Sequence, residues 1–285
     1  MRILDVTENL EAIYPGGSFD LEAWKRTMTE ELPSAVPLCM ADMREGIGSG
    51  LSWENDYLPV LNALRGSPEP VAAARESFAA VTKDLENKII RRFGKTPDAE
   101  IILYPGLCSG AGWVTELDGK TAVLLGIEKI VELGWCGIDD MNGLILHELG
   151  HAYQKQFGVL YRNYSEPGQR FLWQLFTEGI AMVFEQEIVG DPDYFHEDKD
   201  GWKDWCDAHL KQIAFDFERD RPKMTRENQR YFGDWVRYEE KPDVGYYLGA
   251  RFVRFVMREI AFDKLILFGV EEVEVWYGKF LRTVS

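Results

Sequence analysis

Apolar residues over 67–93 recur at Val71, Ala74, Phe78, Val81, Leu85, Ile89 and Phe93, the three-and-four spacing of one helix face. Ser67 and Pro68 supply a start and Gly94 a stop, so a single helix is predicted over 67–93. Leu21, Trp24, Lys25 and Met28 predict a shorter amphipathic helix from 19 to about 31, stopped before Pro33. Another helix is predicted over 57–64, closed by Gly66. Residues 1–18 read as irregular chain or a short strand, ending in the turn Pro15-Gly16-Gly17-Ser18. Residues 33–56, with their Pro, Gly and Ser, read as a long surface excursion or one short helix.

The period then changes. Residues 99–104 form an apolar run bounded by Pro105-Gly106, which predicts a strand. Residues 112–117 and 120–127 flank Asp118-Gly119, the residue pair favoured in two-residue hairpins. At least three strands therefore precede residues 139–154, which read as one helix. After a loop holding Glu166-Pro167-Gly168, residues 169–189 are apolar on most sides and predict a buried helix that stops at Gly190. Further helices are predicted at about 198–219, 226–231, 243–260 and 270–282. No repeat or low-complexity segment interrupts this order. It predicts a helical region over 1–95, a sheet and central helix over 96–158, and a helical lobe over 159–285. The expected class is α+β, with a small mixed or antiparallel sheet packed on the central helix and two lobes with a cleft between them.

Charge and cysteine content narrow the function classes. The 285 residues carry a formal net charge of −16, so phosphate backbones are repelled and nucleic acid and anionic membrane surfaces are poor partners. The four cysteines, Cys39, Cys108, Cys136 and Cys206, show no spacing typical of a disulfide framework or a thiolate zinc site. The segment 1–8 becomes acidic too soon for a secretory signal, and no apolar run is long enough to span a bilayer. A cytoplasmic setting is the expectation.

The chemistry concentrates in His147-Glu148-Leu149-Gly150-His151, which uses two of the chain's four histidines. Residues four apart on a helix are separated by about 400° of rotation, so both imidazoles share one face. Glu148 flanks them. Two nitrogen ligands beside a carboxylate base suit metal-assisted hydrolysis, zinc being the expected ion. A third ligand is required. A histidine six residues past His151 is excluded because that position is Phe157. Glu178 is the better candidate, since a carboxylate in the middle of an apolar helix is costly unless it is paired or metal-bound; His196 and His209 remain alternatives. Gly179 and Ala181 leave room for a neighbouring helix to approach. Glu185, seven residues on, is placed to accept a hydrogen bond from a ligating imidazole.

These residues carry a resemblance. His147-Glu148-Leu149-Gly150-His151 followed by Thr177-Glu178-Gly179-Ile180-Ala181 resembles the gluzincin zinc metallopeptidases, and the chain looks closest to uncharacterised bacterial predicted zinc proteases of that type. The likeness covers about residues 99–260 and is shared, distantly, with thermolysin- and aminopeptidase-type catalytic domains. It implies a zincin-like fold and a single Zn²⁺ held by His147, His151 and Glu178. Glu148 becomes the general base and a peptide or protein the substrate. Tyr246-Tyr247-Leu248-Gly249-Ala250 resembles the segment in which the aminopeptidase branch carries an oxyanion-stabilising tyrosine, a role that falls on Tyr246. Glu185 sits where that branch has a further Glu. The step from residue 151 to 178 is longer than the family's usual one, which implies an insertion around 161–168. The motif that holds a substrate's free amine is absent from 110–116, so exopeptidase specificity is not implied. An edge strand within 112–127 is the expected seat for substrate backbone. A zinc-containing binding or regulatory module without turnover, and hydrolysis of a non-peptide substrate, are the alternative readings.

Overall fold

The computed structural model describes residues 1–196, 198–233 and 236–284. Its elements in chain order are β1 (Arg2–Asp5), α1 (Leu21–Glu31), α2 (Ala35–Gly48), α3 (Leu58–Arg65), α4 (Pro68–Thr82), α5 (Leu85–Phe93), β2 (Ala99–Tyr104), β3 (Gly112–Leu117), β4 (Lys120–Gly126), α6 (Ile127–Glu132) and α7 (Ile138–Phe157). They continue with α8 (Pro167–Val189), α9 (Trp202–Asp220), α10 (Val244–Val256), α11 (Phe262–Leu265) and α12 (Val270–Thr283). The fold is mixed α/β, mostly helical, with one small mixed sheet. The chain divides into two compact units, Met1–Glu148 and Leu149–Ser285, and the division falls inside α7. No helix among the described residues is long and apolar enough to cross a membrane.

In the first unit the sheet runs β1-β2-β4-β3. β1 pairs parallel with β2, β2 parallel with β4, and β3 antiparallel with β4. The predicted hairpin is present: Asp118 and Gly119 both adopt positive φ, 50° and 77°, which matches the right-handed twist of the flanking strands. β2 is buried along nearly all its length, whereas β3 lies at an edge. Ile102, Tyr104 and Leu124 pack with Trp24, Met28, Cys39 and Met43 in one core, and the Trp24 indole N–H donates to the Pro105 carbonyl at 2.8 Å.

Of the two readings of residues 33–56 the helix holds, since α2 occupies most of them and buries Cys39, Met40 and Met43, while the run 67–93 needs correction. Pro37 sits in the first helical turn, where its missing N–H has no intrahelical acceptor anyway. Gly46 is a site of close approach rather than a breaker, since a Cβ there would collide with the Tyr57 hydroxyl. The run 67–93 is two helices, α4 and α5, broken at Lys83-Asp84. Asp84 turns its carboxylate onto the Asn87 amide and Arg91 guanidinium at 2.8 and 3.0 Å, the local competition that makes Asp a poor residue inside helices. The Ser67 hydroxyl does not cap α4 but donates back to the Ala63 carbonyl at 2.9 Å.

The second unit is built on α8, buried almost throughout from Phe171 to Gln186 and ended by Gly190 at φ 85°. α10 lies against it without intervening side chains at Gly179 and Gly249. A Cβ on Gly179 would strike the Gly249 carbonyl, and one on Gly249 would lie 2.5 Å from the Leu175 carbonyl oxygen. Further along, Arg254 of α10 reaches Gln186 and Glu187 of α8. Contacts thus advance in the same direction on both helices, which makes them parallel. The helix predicted at 226–231 is absent. The Gln229 amide oxygen accepts the Tyr231 and Phe232 N–H groups at 2.7 and 2.9 Å, which fixes a turn in its place.

All four cysteines are unpaired thiols. Burial pushes Cys39 and Cys206 up to about 12, so both are protonated at neutral pH.

Gly179→Ala is expected to destabilise the second unit by about 3 kcal/mol, through overpacking against backbone that cannot yield. Gly278→Ala is the control: it is helical and meets no heavy atom nearer than 4.0 Å. It should instead stabilise by up to about 1 kcal/mol. Urea denaturation with an unchanged m-value reads both.

Candidate functional site

α7 starts with Asp139 and Asp140 in its first turn, where negative charge complements the helix dipole. Two turns later it presents His147, Glu148 and His151. His147 and Glu148 are each 7% exposed. Gly150, the fourth residue of the motif, lets α8 come close: a Cβ there would lie 2.7 Å from the Cα of Ala181. That approach brings Glu178, three residues before Ala181, to the histidine side of α7. His151 Nε2 and Glu178 Oε2 are 3.1 Å apart, with side chains 14% and 16% exposed.

One ligand atom each from His147, His151 and Glu178 lies within 4.8 Å of the others. No other group of this kind occurs among the described residues. Zinc bonds to imidazole nitrogen and carboxylate oxygen at about 2.0–2.2 Å, so donors a few ångströms apart can share one ion. The cluster can therefore hold a metal ion. Three donors also leave a fourth tetrahedral position for a non-protein group.

The alternative ligands lie elsewhere. His196 Nδ1 pairs with both carboxylate oxygens of Glu185 at 2.9 and 3.1 Å. His209 Nδ1 bonds the Trp205 carbonyl at 2.7 Å and its ring stacks on Trp205. The expectation that Glu185 would orient a ligating imidazole is thereby overturned. Seven residues bring it back to the face of Glu178 but about 10 Å further along the axis, beyond hydrogen-bond reach of the cluster. Burial raises the Glu185 carboxyl, and the charge and hydrogen bond of His196 offset only part of that rise.

Of the two adjacent tyrosines, Tyr247 is buried and donates its hydroxyl to Asp207. Tyr246 is partly exposed, packs edge-on to Phe232 with ring centroids 5.8 Å apart, and lines an open groove with Gln174 of α8. Gln174 precedes Glu178 by one helical turn, so Tyr246 faces the same side of α8 as the Glu178 carboxylate.

Beside Glu148 lies the start of the edge strand. A Cβ on Gly112 would come within 2.8 Å of Glu148 Cγ and 2.9 Å of Oε1. The absence of a side chain at the first residue of β3 leaves the space this carboxylate fills. The loop leading there, 105–111, is anchored by Glu128, a residue without a motif to mark it. Glu128 is 1% exposed and accepts the Gly106 and Cys108 N–H groups at 2.8 and 2.9 Å. Burial raises its carboxyl, against the lowering effect of the backbone N–H donors. The only signal in the sequence was an acidic residue inside an apolar run.

No protein-family model matches the chain, and no curated protein or solved structure matches it.

If the cluster holds a metal, His151→Ala and Glu178→Ala should weaken its binding by at least about 100-fold in competition titrations with Zn²⁺ as the probe, since even outer-shell changes cost about 10–100-fold. Glu185→Gln should leave zinc affinity unchanged, because its partner is His196. Glu128→Gln places an NH₂ against a backbone N–H donor and should cost about 1–3 kcal/mol at about pH 5. The raised folded-state carboxyl makes the stability from Glu128 complete below about 4.5 and lost as pH climbs through the raised value. The gap between wild type and Glu128→Gln in denaturant melts should therefore narrow as pH is raised from about 4.5.

Proposed function

We propose that this protein is a zinc-dependent peptidase of the gluzincin type, acting on peptides or proteins. The observation that carries the reading is the convergence of His147, His151 and Glu178 donor atoms within 4.8 Å of one another on helices that also present Glu148. A zinc ion held by these three residues would supply Lewis acidity to an attacking water and to the substrate carbonyl. Glu148 takes the proton from that water on a carboxylate oxygen and hands it to the leaving amine. The edge of β3, beginning at the glycine against Glu148, offers backbone groups to an extended peptide as an added strand. The Tyr246 hydroxyl donates to the oxyanion of the tetrahedral intermediate. Its place on the groove beside α8 supports that role, as does the crossing of Gly249 against Gly179 next to Glu178. The zincin-like two-lobed architecture belongs to the same proposal. So does a cytoplasmic setting, which suits four thiols that form no disulfide.

Hydrolysis of an internally quenched peptide library should depend on zinc and disappear with a chelator. Glu148→Gln should retain zinc stoichiometry and lose about 10²–10⁴ in rate. A zinc-loaded Glu148→Gln protein as active as wild type removes the proposed base and with it the mechanism. Tyr246→Phe should lower kcat by about 10²–10³ with little change in KM.

A further inference from the structure

The groove that holds Tyr246 measures about 680 Å³ and belongs wholly to the second unit. Phe171, Phe232 and Tyr246 form its apolar part, and Gln174 contributes an amide. The half-buried side chain of Gln174 makes no hydrogen bond among the described residues. Arg170 and Arg226 line the same groove with Glu227. Glu227 is ionised at neutral pH, its carboxyl held low by a hydrogen bond with Thr225 and by the two nearby arginines. The Arg170 guanidinium brings positive charge to this groove in a chain whose formal net charge is −16.

Five other arginines of this unit are paired with carboxylates, whereas Arg170, like Arg258, is held over a phenylalanine ring instead. Arg219, Arg221, Arg230, Arg251 and Arg254 each form an ion pair with an Asp or Glu. Arg170 forms none among the described residues. Its guanidinium lies over the Phe171 ring, 5.0 Å from the centroid, which holds the charge at the groove without neutralising it. Its position on α8 relates it to the metal cluster. Arg170, Gln174 and Glu178 are spaced four residues apart and follow one side of the helix. At about 1.5 Å per residue, Arg170 lies about 12 Å along the axis from Glu178. An extended peptide covers that length in about three to four residues.

We infer that this groove is a subsite for a carboxylate on the peptide substrate, bound by Arg170 about three to four residues from the cleaved bond, with Gln174 and the three aromatic rings holding the intervening chain. The inference rests on the peptidase reading and adds its substrate class: acidic peptides, the carboxylate being either an Asp or Glu side chain or the chain's own C-terminus. The groove's chemistry selects it, since a neutral segment would offer the Arg170 guanidinium no carboxylate to bond and a basic one would be repelled. A planar guanidinium resting on an aromatic ring is arranged for two parallel bonds to a carboxylate.

The test uses the full chain with Glu148→Gln, loaded with zinc, so that binding is read without turnover. The probes are fluorescein-labelled alanine-rich decapeptides with amidated C-termini, carrying one Glu at successive positions, together with their Gln and Lys counterparts. A Gln peptide with a free C-terminal carboxylate forms the second arm. Fluorescence anisotropy should show at least about fivefold tighter binding for Glu at one position, or for the free C-terminus, than for the amidated Gln peptide; which arm responds identifies the carboxylate. Arg170→Ala should abolish the preference and Arg170→Glu should turn it towards the Lys peptide. Equal binding of Glu, free-acid and Gln peptides, no binding of any, or a preference that survives Arg170→Ala overturns the assignment. Wild-type protein separates the two readings. Arg170-dependent binding of acidic peptides without cleavage sinks the peptidase and keeps the carboxylate subsite. Cleavage indifferent to acidic residues does the reverse.

Discussion

The candidate site depends first on a steric fact, the missing side chain at Gly150. A single methyl there would meet the backbone of Ala181, and α7 and α8 would have to part to make room for it. Gly179 imposes a similar condition on the other side of the helix, against Gly249. Glu178 directly precedes Gly179 and lies three residues before Ala181. The side chain with the strictest positional demand therefore sits where its helix has least freedom to slide or roll. Bonding distances to a metal tolerate only a few tenths of an ångström, and close backbone packing holds such tolerances better than long side chains do.

The same economy governs the acidic residues. An ionised carboxylate in apolar surroundings costs several kcal/mol unless something compensates it. Three buried or half-buried glutamates meet the requirement in different ways. Glu128 collects backbone N–H groups and thereby shapes the loop before β3. Glu185 takes the His196 imidazole and ties α8 to the chain beyond Gly190. Glu178 faces His151 within a donor cluster that a cation would complete. Only the last leaves room for a ligand, which separates a candidate functional acid from two that shape the fold.

How much could be read beforehand follows from how local each determinant is. The hairpin at Asp118-Gly119, the stop of α8 at Gly190, the helix of α7 and the placement of Glu178 in an apolar helix are written in residues a few positions apart, and each was legible. What escaped depends on partners distant in sequence. β1 finds its place only by pairing with β2 nearly a hundred residues later, and Gly46 signals a break until Tyr57 is seen to occupy the space. Periodicity points Glu185 towards an imidazole of the cluster because it gives direction but not height along the axis. Glu128 had no partner in sight at all, since backbone donors leave no trace in composition.

The parallel course of α8 and α10 carries a consequence for how the second unit assembles. Antiparallel helices can be joined by a short turn, whereas parallel neighbours need the chain to travel back, here through α9. Gly179 and Gly249 meet across a loop of about 70 residues, and closing one that long costs about 4 kcal/mol in chain entropy before any contact repays it. By contact-order reasoning such a junction belongs to the late events of folding. The helix turn bearing Glu178 can form early and locally. Its lasting position waits on a segment synthesised well after it, so a nascent chain holds the donor residues some time before it holds the donor geometry.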